Sequence, residues 1–257
     1  LLPGRQFTDF ILALTNLSIF PAGTTLTTKR IMEISFPPAV YLGIILTMGL
    51  SWTIVYLLVI YRSFKDKVCG MPFIALAFNT SWEFLYSFIF PMKNNLMQNI
   101  INRVWFGFDV LICISFFLYG ANSPKRQQKK WFPVYIVAVF AAAYSLLHSY
   151  HVAEGLAAMT YSAFITNMVM SALFIDRLLK QQQIAGQSAG IAFFKMLGTL
   201  AASLVLLTGY SAFLQITGLV CLVLDVSYIV LLYRLYQQEG LSFFARKKRS
   251  TRLASAS

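Results

Sequence analysis

The chain has 257 residues, 58% of them hydrophobic and only 12% charged, against roughly 25% charged in ordinary soluble domains. That excludes a soluble globule. The formal net charge of +12 is spread over several short loops with no soluble module to present it, which argues against nucleic-acid binding.

In chain order, "FTDFILALTNLSIF" is too short and too interrupted to cross a bilayer. It reads as an interfacial helix with Phe7, Phe10, Ile11, Leu14 and Leu17 on one side, within an N-terminal non-cytoplasmic segment, 1–37. Apolar runs near the length a bilayer needs, about 20 residues, follow at 38–61, 70–91, 104–120, 131–150, 155–175, 191–210 and 212–233. They predict an all-α, polytopic membrane protein with seven transmembrane helices in a single bundle over 38–236, followed by a basic cytoplasmic tail, 237–257. The run at 104–120 is short, and only Gly209, Tyr210 and Ser211 separate the last two, so six or eight spans are the alternatives. "KQQQIAGQSAG" at 180–190 reads as a polar cytoplasmic connection.

Charge placement gives the orientation. Arg62, Lys65 and Lys67, then Lys125, Arg126, Lys129 and Lys130, then Arg177 and Lys180, then Arg234 occupy alternate loops, and the others are nearly free of Lys and Arg. By the positive-inside rule the C-terminus is cytoplasmic, with "ARKKRS" against anionic lipid. The three cysteines, Cys69, Cys113 and Cys221, are too widely spaced for a disulfide framework or a zinc pattern.

Three carboxylates fall inside predicted spans: Glu83 in the second, Asp109 in the third and Asp225 in the seventh. Glu154 stands at the far-side entrance of the fifth. Each intramembrane acid costs on the order of 3 kcal/mol to insert, which makes function the default reading. No Lys or Arg occurs deep in spans two, three or seven, and Lys195 is expected to lie too near the cytoplasmic end to help. A buried acid without a cation favours its neutral form, a potential proton donor. The structural alternative is a polar clamp in which the carboxyls bond Asn79, Ser115 or Asn167.

Aromatic residues surround these acids. Trp82, Tyr86, Trp105, Tyr161 and Tyr228 are candidates for a pocket whose π faces steady a cation, unless they form interfacial belts. Asn79 and Tyr86, at i−4 and i+3 from Glu83, can share its face. In "HSYHVAEG", His148, His151 and Glu154 step by three and stay neighbours on a helix. They read first as polar rim residues, and no further ligands complete a metal site. The chain has no two acidic residues within two positions of each other, hence no magnesium cluster for diphosphate ionisation. It also has no phosphate loop, and no lysine in span seven for a retinal Schiff base.

The stretch "MGLSWTIVYLLVIYRSFKDKVCGMPFIALAFNTSWEFLYSFIFP", 48–91, resembles the small integral-membrane terpene cyclases of fungal meroterpenoid and indole-diterpene pathways, which also have bacterial relatives. The specific elements are "SFKD", "GMP" and "N-x-x-WE-x-x-Y" followed by "FP", with weaker matches at 148–162 and in "LDVSYIVLLY", 224–233. The resemblance implies a heptahelical enzyme that protonates the epoxide of a lipophilic prenylated substrate and lets the polyene close into rings. It implies catalytic roles for Glu83 and Asp225, and supporting roles for Asp109, Glu154, His148 and Asn79. It implies no metal or nucleotide cofactor, partners limited to substrate and membrane lipid, and association with an upstream prenyltransferase and epoxidase. The expected membrane is the endoplasmic reticulum in a eukaryote and the plasma membrane in a bacterium. A proton-coupled transporter using the same carboxylates is the competing reading.

Overall fold

A computed structural model describes residues 30–93, 95–120 and 130–243. The interfacial helix expected over residues 7–20, the cations Lys125, Arg126 and Lys129, and the basic "ARKKRS" stretch lie outside the described residues. Within them the fold is helical throughout, with α1 (Pro38–Asp66), α2 (Phe73–Phe84), α3 (Leu96–Tyr119), α4 (Phe132–Glu154), α5 (Ala157–Gln181), α6 (Ala189–Leu206) and α7 (Ala212–Gln238). Six are long and apolar enough to span a bilayer. The exception, α2, has 12 residues and runs on as a five-residue π-helical turn, Leu85–Ile89. All seven expected spans therefore correspond to helices.

The element boundaries have local causes. Pro37 and Pro72 stand at the entrances of α1 and α2, where a missing N–H costs nothing. The α3 helix starts at Leu96 and not at 104, capped by Asn95, whose side chain accepts from the Gln98 amide. Its first turns carry Gln98, Asn99 and Asn102 facing inward, all buried, which interrupts the apolar run without interrupting the helix. The α6–α7 break is a tight turn. Gly209 takes φ +124 there, and the Ser211 hydroxyl caps α7 by accepting from Leu214 N.

Packing sorts the helices. α1 lies along α6, α7 packs on both α5 and α6, and α2 bridges α3, α4 and α5. α4 is the outlying member, with only Ala143 and Leu147 buried. Outward positions such as Leu50, Leu57, Val137, Leu219 and Val223 are exposed, as a lipid-facing surface requires, since lipid is as good a solvent for them as a core.

Both ends of the bundle are closed by hydrogen bonds to backbone groups, most of them from or to side chains. At one end the extended segment before α1 is strapped down by Gln215, whose side chain accepts from Ile31 N and Met32 N and donates to Met32 O, and by Ile34 N on Leu207 O at 2.8 Å. At the other, the connection expected to be merely polar and cytoplasmic folds into the bundle. Gln187 is fully buried and donates to Gly70 O at 3.0 Å, Gly186 N donates to Asp66 at 2.8 Å, and Arg177 reaches Cys69 O at 2.5 Å.

Gly186 holds that plug at φ +75, and a Cβ there would sit 2.8 Å from Val68 Cγ2. Gly186→Ala is therefore expected to destabilise the protein by about 1–2 kcal/mol, read as a lower thermal inactivation temperature in detergent.

Candidate functional site

Glu83 occupies the last turn of α2, directly before the helix widens into the π-helical turn, a distortion that often accompanies functional positions. The side chain is almost fully buried at 3% exposure. Its Oε1 accepts from the Tyr56 hydroxyl of α1 at 3.3 Å. Asn79, one turn earlier on α2, donates to Tyr56 Oη at 2.6 Å and to Asp109 Oδ2 of α3 at 2.8 Å. Tyr56 and Asn79 thus join two carboxyls from different helices into one network. Among the described residues neither carboxyl forms an ion pair, and Glu83 Oε2 and Asp109 Oδ1 are buried with no hydrogen-bond partner.

Glu83 lines a half-open cavity of about 120 Å³ with walls from α1, α2, α3, α5 and α6. Its walls include Trp52, Tyr56, Trp82, Trp105 and Phe164, with Asn79, Gln98, Thr166 and Asn167 as polar members. The indoles are held in place by their N–H groups. Trp105 donates to Thr53 Oγ1 and Trp82 to Ser162 Oγ, each at 3.0 Å, and Trp105 stacks on Tyr56 with centroids 5.9 Å apart. Trp52 lies against Gly198, where a Cβ would come within 3.0 Å of its ring. An aromatic box with one carboxyl in its wall can donate a proton and steady a cation.

Asp225 belongs to a second cluster. Its Oδ1 pairs with Lys195 Nζ at 2.7 Å, both side chains being at most 1% exposed. Lys195 also donates to Ser171 Oγ at 2.6 Å and to Asn167 Oδ1 at 2.9 Å, and lies over the Trp52 ring at 5.7 Å. Asn167 Nδ2 in turn donates to Thr199 at 3.1 Å. The expectation that Lys195 lies too far along to meet an acid is wrong. Lys195 and Asp225 stand at similar distances, roughly a dozen residues, on either side of the tight α6–α7 turn. The hairpin brings them level, whereas counting from the cytoplasmic ends separates them.

Several expected pocket residues do not line the cavity. Tyr86 is displaced from the Glu83 face where the backbone becomes π-helical, and its hydroxyl meets His151 Nδ1 at 3.3 Å. Tyr161 sits at the opposite end of the bundle from the plug, bonded to Ser211 at 2.7 Å. Tyr228, fully buried, packs on Phe174 and hydrogen-bonds Gln187 in that plug. His148 stacks on Tyr144, and Glu154 is exposed as the last residue of α4, in the short turn before α5 begins at Ala157. Trp82, Trp105 and Asn79 do line the cavity. Asp109 touches the site only through Asn79. Of the clamp partners, Asn79 bonds a carboxyl, Asn167 bonds Lys195, and Ser115 turns to Ile112 O.

Sequence reasoning missed Tyr56, Trp52 and Lys195 as site residues. Tyr56 and Trp52 are each one aromatic among many in the apolar run of α1, and only Lys195, a charged residue inside an apolar helix, carried a signal of its own.

Fold and site together define a polytopic helical membrane protein with an acid set in an aromatic internal cavity. The chain belongs to the Pyr4-like transmembrane terpene cyclases, whose family profile matches residues 34–238. It is 28% identical over 221 residues to the terpene cyclase pyr4 of Aspergillus fumigatus, covering 79% of this chain and 89% of the relative. To the Pyr4-family terpene cyclase mfmH of Annulohypoxylon moriforme it is 27% identical over 69% of this chain and 76% of that one. To the asnovolin H synthase nvfL of Aspergillus novofumigatus it is 29% identical over 59% and 63%. No solved structure matches the chain. Family membership sets the transporter reading aside.

Proposed function

We propose that this membrane terpene cyclase protonates the epoxide of a farnesyl- or geranylgeranyl-type meroterpenoid or indole-terpenoid substrate, with Glu83 as the general acid. The observation that carries the reading is the Glu83 carboxyl in the wall of an aromatic cavity, with Oε2 buried and free of any hydrogen-bond partner among the described residues. The proton passes from Oε2 to the epoxide oxygen, the C–O bond breaks, and alkene π electrons attack the electron-poor carbon. Successive ring closures carry the cation along the polyene past Trp52, Tyr56, Trp82 and Trp105. Loss of a proton, or capture by an internal hydroxyl, ends the sequence. Either ending releases one proton, from carbon or from the captured hydroxyl, which the Glu83 carboxylate can take back, so the product is an isomer of the substrate and the acid is restored.

Tyr56, Asn79 and Asp109 position Glu83, and Asp225 acts on the cavity through Lys195 and Asn167. No metal or nucleotide cofactor enters this chemistry. Residues 38–236 form the cyclase body, between the N-terminal segment and the basic tail. The Lys and Arg bias of alternate loops supports a cytoplasmic C-terminus. The substrate's chemistry requires an upstream prenyltransferase and epoxidase.

The test is to incubate membranes holding the chain with epoxidised farnesyl and geranylgeranyl phenols and indoles, and to separate the products by chromatography. Cyclic isomers of unchanged mass are expected, and conversion to diols alone would overturn the reading. Tyr56→Phe keeps the stack on Trp105 but removes the one hydroxyl bonded to Glu83. An unmade buried bond costs about 1–3 kcal/mol, so cyclisation is expected to slow roughly tenfold with protein levels unchanged.

A further inference from the structure

The cavity beside Glu83, about 120 Å³, is small against the roughly 300–1,000 Å³ usual for ligand sites. It takes the reacting end of a prenyl chain and leaves the remainder unhoused. A second, larger hollow of about 510 Å³ lies between α4 and α5 over Phe78 of α2. Its lining is apolar apart from Ser149, Tyr150, Ser162 and Thr166. Its rim is half open to the lipid side, with Leu146 59% and Val169 38% exposed.

The two hollows are neighbours through three elements. Thr166 lines both. Ser162 lines the outer one and accepts the indole N–H of Trp82, which lines the inner one. Phe78 of the outer hollow precedes Asn79 of the inner one on α2. Thr166, Phe78 and Trp82 therefore stand between the two, and Trp82 is packed there with Leu147 and Met159 as well as hydrogen-bonded to Ser162. The helix on the outer wall, α4, is also the least buried of the six spanning helices, so the outer groove can widen on that side with little loss of packing.

We propose that the α4–α5 groove is a lateral, lipid-facing seat for the trailing prenyl chain of the substrate, which enters from the bilayer and threads its epoxide end past Thr166 and the Trp82–Ser162 contact to Glu83. The proposal rests on the cyclase reading of the inner cavity. A substrate dissolved in the membrane reaches the acid without crossing water, and the groove holds the tail while the head of the polyene folds. Passage breaks the buried Trp82–Ser162 hydrogen bond, a cost of about 1–3 kcal/mol that the apolar area buried by the chain in the groove offsets.

The experiment uses the full chain in membranes and two readouts. The first is photolabelling with a diazirine-tagged farnesyl phenol, mapped by mass spectrometry. The second is the KM for cyclisation of the matching epoxide. Labels are expected on α4 and α5 residues of the groove. Val169→Trp and Leu146→Trp, both at the exposed rim where bulk is tolerated, are expected to suppress labelling and raise KM by about tenfold, equivalent to about 1.4 kcal/mol. Val223→Trp, on the outer face of α7 and 58% exposed in the native chain, is expected to change neither. Labels confined to other helices, or both rim variants labelled and saturated like wild type, overturn the groove and leave the cyclase reading intact. Groove labelling with no cyclised product from wild type supports the seat and counts against the cyclase reading.

Discussion

Glu83→Gln is expected to lower the cyclisation rate by about 10²–10⁴-fold, the usual contribution of a positioned general acid, while the protein accumulates and melts like wild type. The amide matches the carboxyl in shape and still offers an oxygen to the Tyr56 hydroxyl, so the contact at 3.3 Å survives. What disappears is the transferable proton. Asp109→Asn makes the contrast. Asp109 is fully buried but does not line the cavity, and reaches Glu83 only through Asn79 and Tyr56. Its loss is expected to cost roughly tenfold or less, on the scale of one misplaced hydrogen bond. The measurement is initial rate of product formation at matched protein levels. A Glu83→Gln enzyme within tenfold of wild type would remove Glu83 from the chemistry. An Asp109→Asn enzyme as dead as Glu83→Gln would move the donor to α3.

The helices were legible because each is an apolar run bounded by proline, glycine or a charge, and hydropathy is the dominant constraint on a chain in lipid. Edges were less legible where polar side chains point inward. Gln98, Asn99 and Asn102 break the apolar run of α3 but are buried and helical. The shortness of α2 and its π-helical turn left no compositional trace, and with it went the position of Tyr86. At the site, Glu83 declared itself as the lone charged residue in "FNTSWEFLYSFIFP". Asn79 followed from helical spacing, although its bond goes to Asp109 and not to Glu83. Tyr56 lies on another helix and required the α1–α3 and α2–α3 packing to be known. Periodicity along one helix carries no information about which face of a second helix it meets.

Asp225→Asn is expected to cost stability first and activity as a consequence. The substitution leaves the Lys195 ammonium buried at 1% exposure with no counter-charge, only the neutral oxygens of Ser171, Asn167 and the introduced amide. Removing one partner of such a pair costs about 3–5 kcal/mol, a large fraction of what holds a protein folded. Lys195→Met is expected to be equally damaging, since it leaves the Asp225 carboxyl with Ser171 alone. The decisive variant removes both charges. Replacing a buried ion pair by apolar groups of similar volume is often neutral or stabilising, so Lys195→Met with Asp225→Leu is expected to restore thermal stability. Asn167 keeps its bond to Thr199 at 3.1 Å, and Trp52 keeps its seat against Gly198. The cavity wall therefore survives, and cyclisation is expected to return to within about tenfold of wild type, the cost of losing one bond to Asn167. Thermal inactivation and initial rates on the same membrane preparations separate the two effects. A double variant that melts like wild type yet is as inactive as Glu83→Gln would place Asp225 or Lys195 in the proton transfer itself. Recovery of both stability and turnover would leave Glu83 to carry the acid step, with the ion pair as the brace that sets the opposite wall of the cavity.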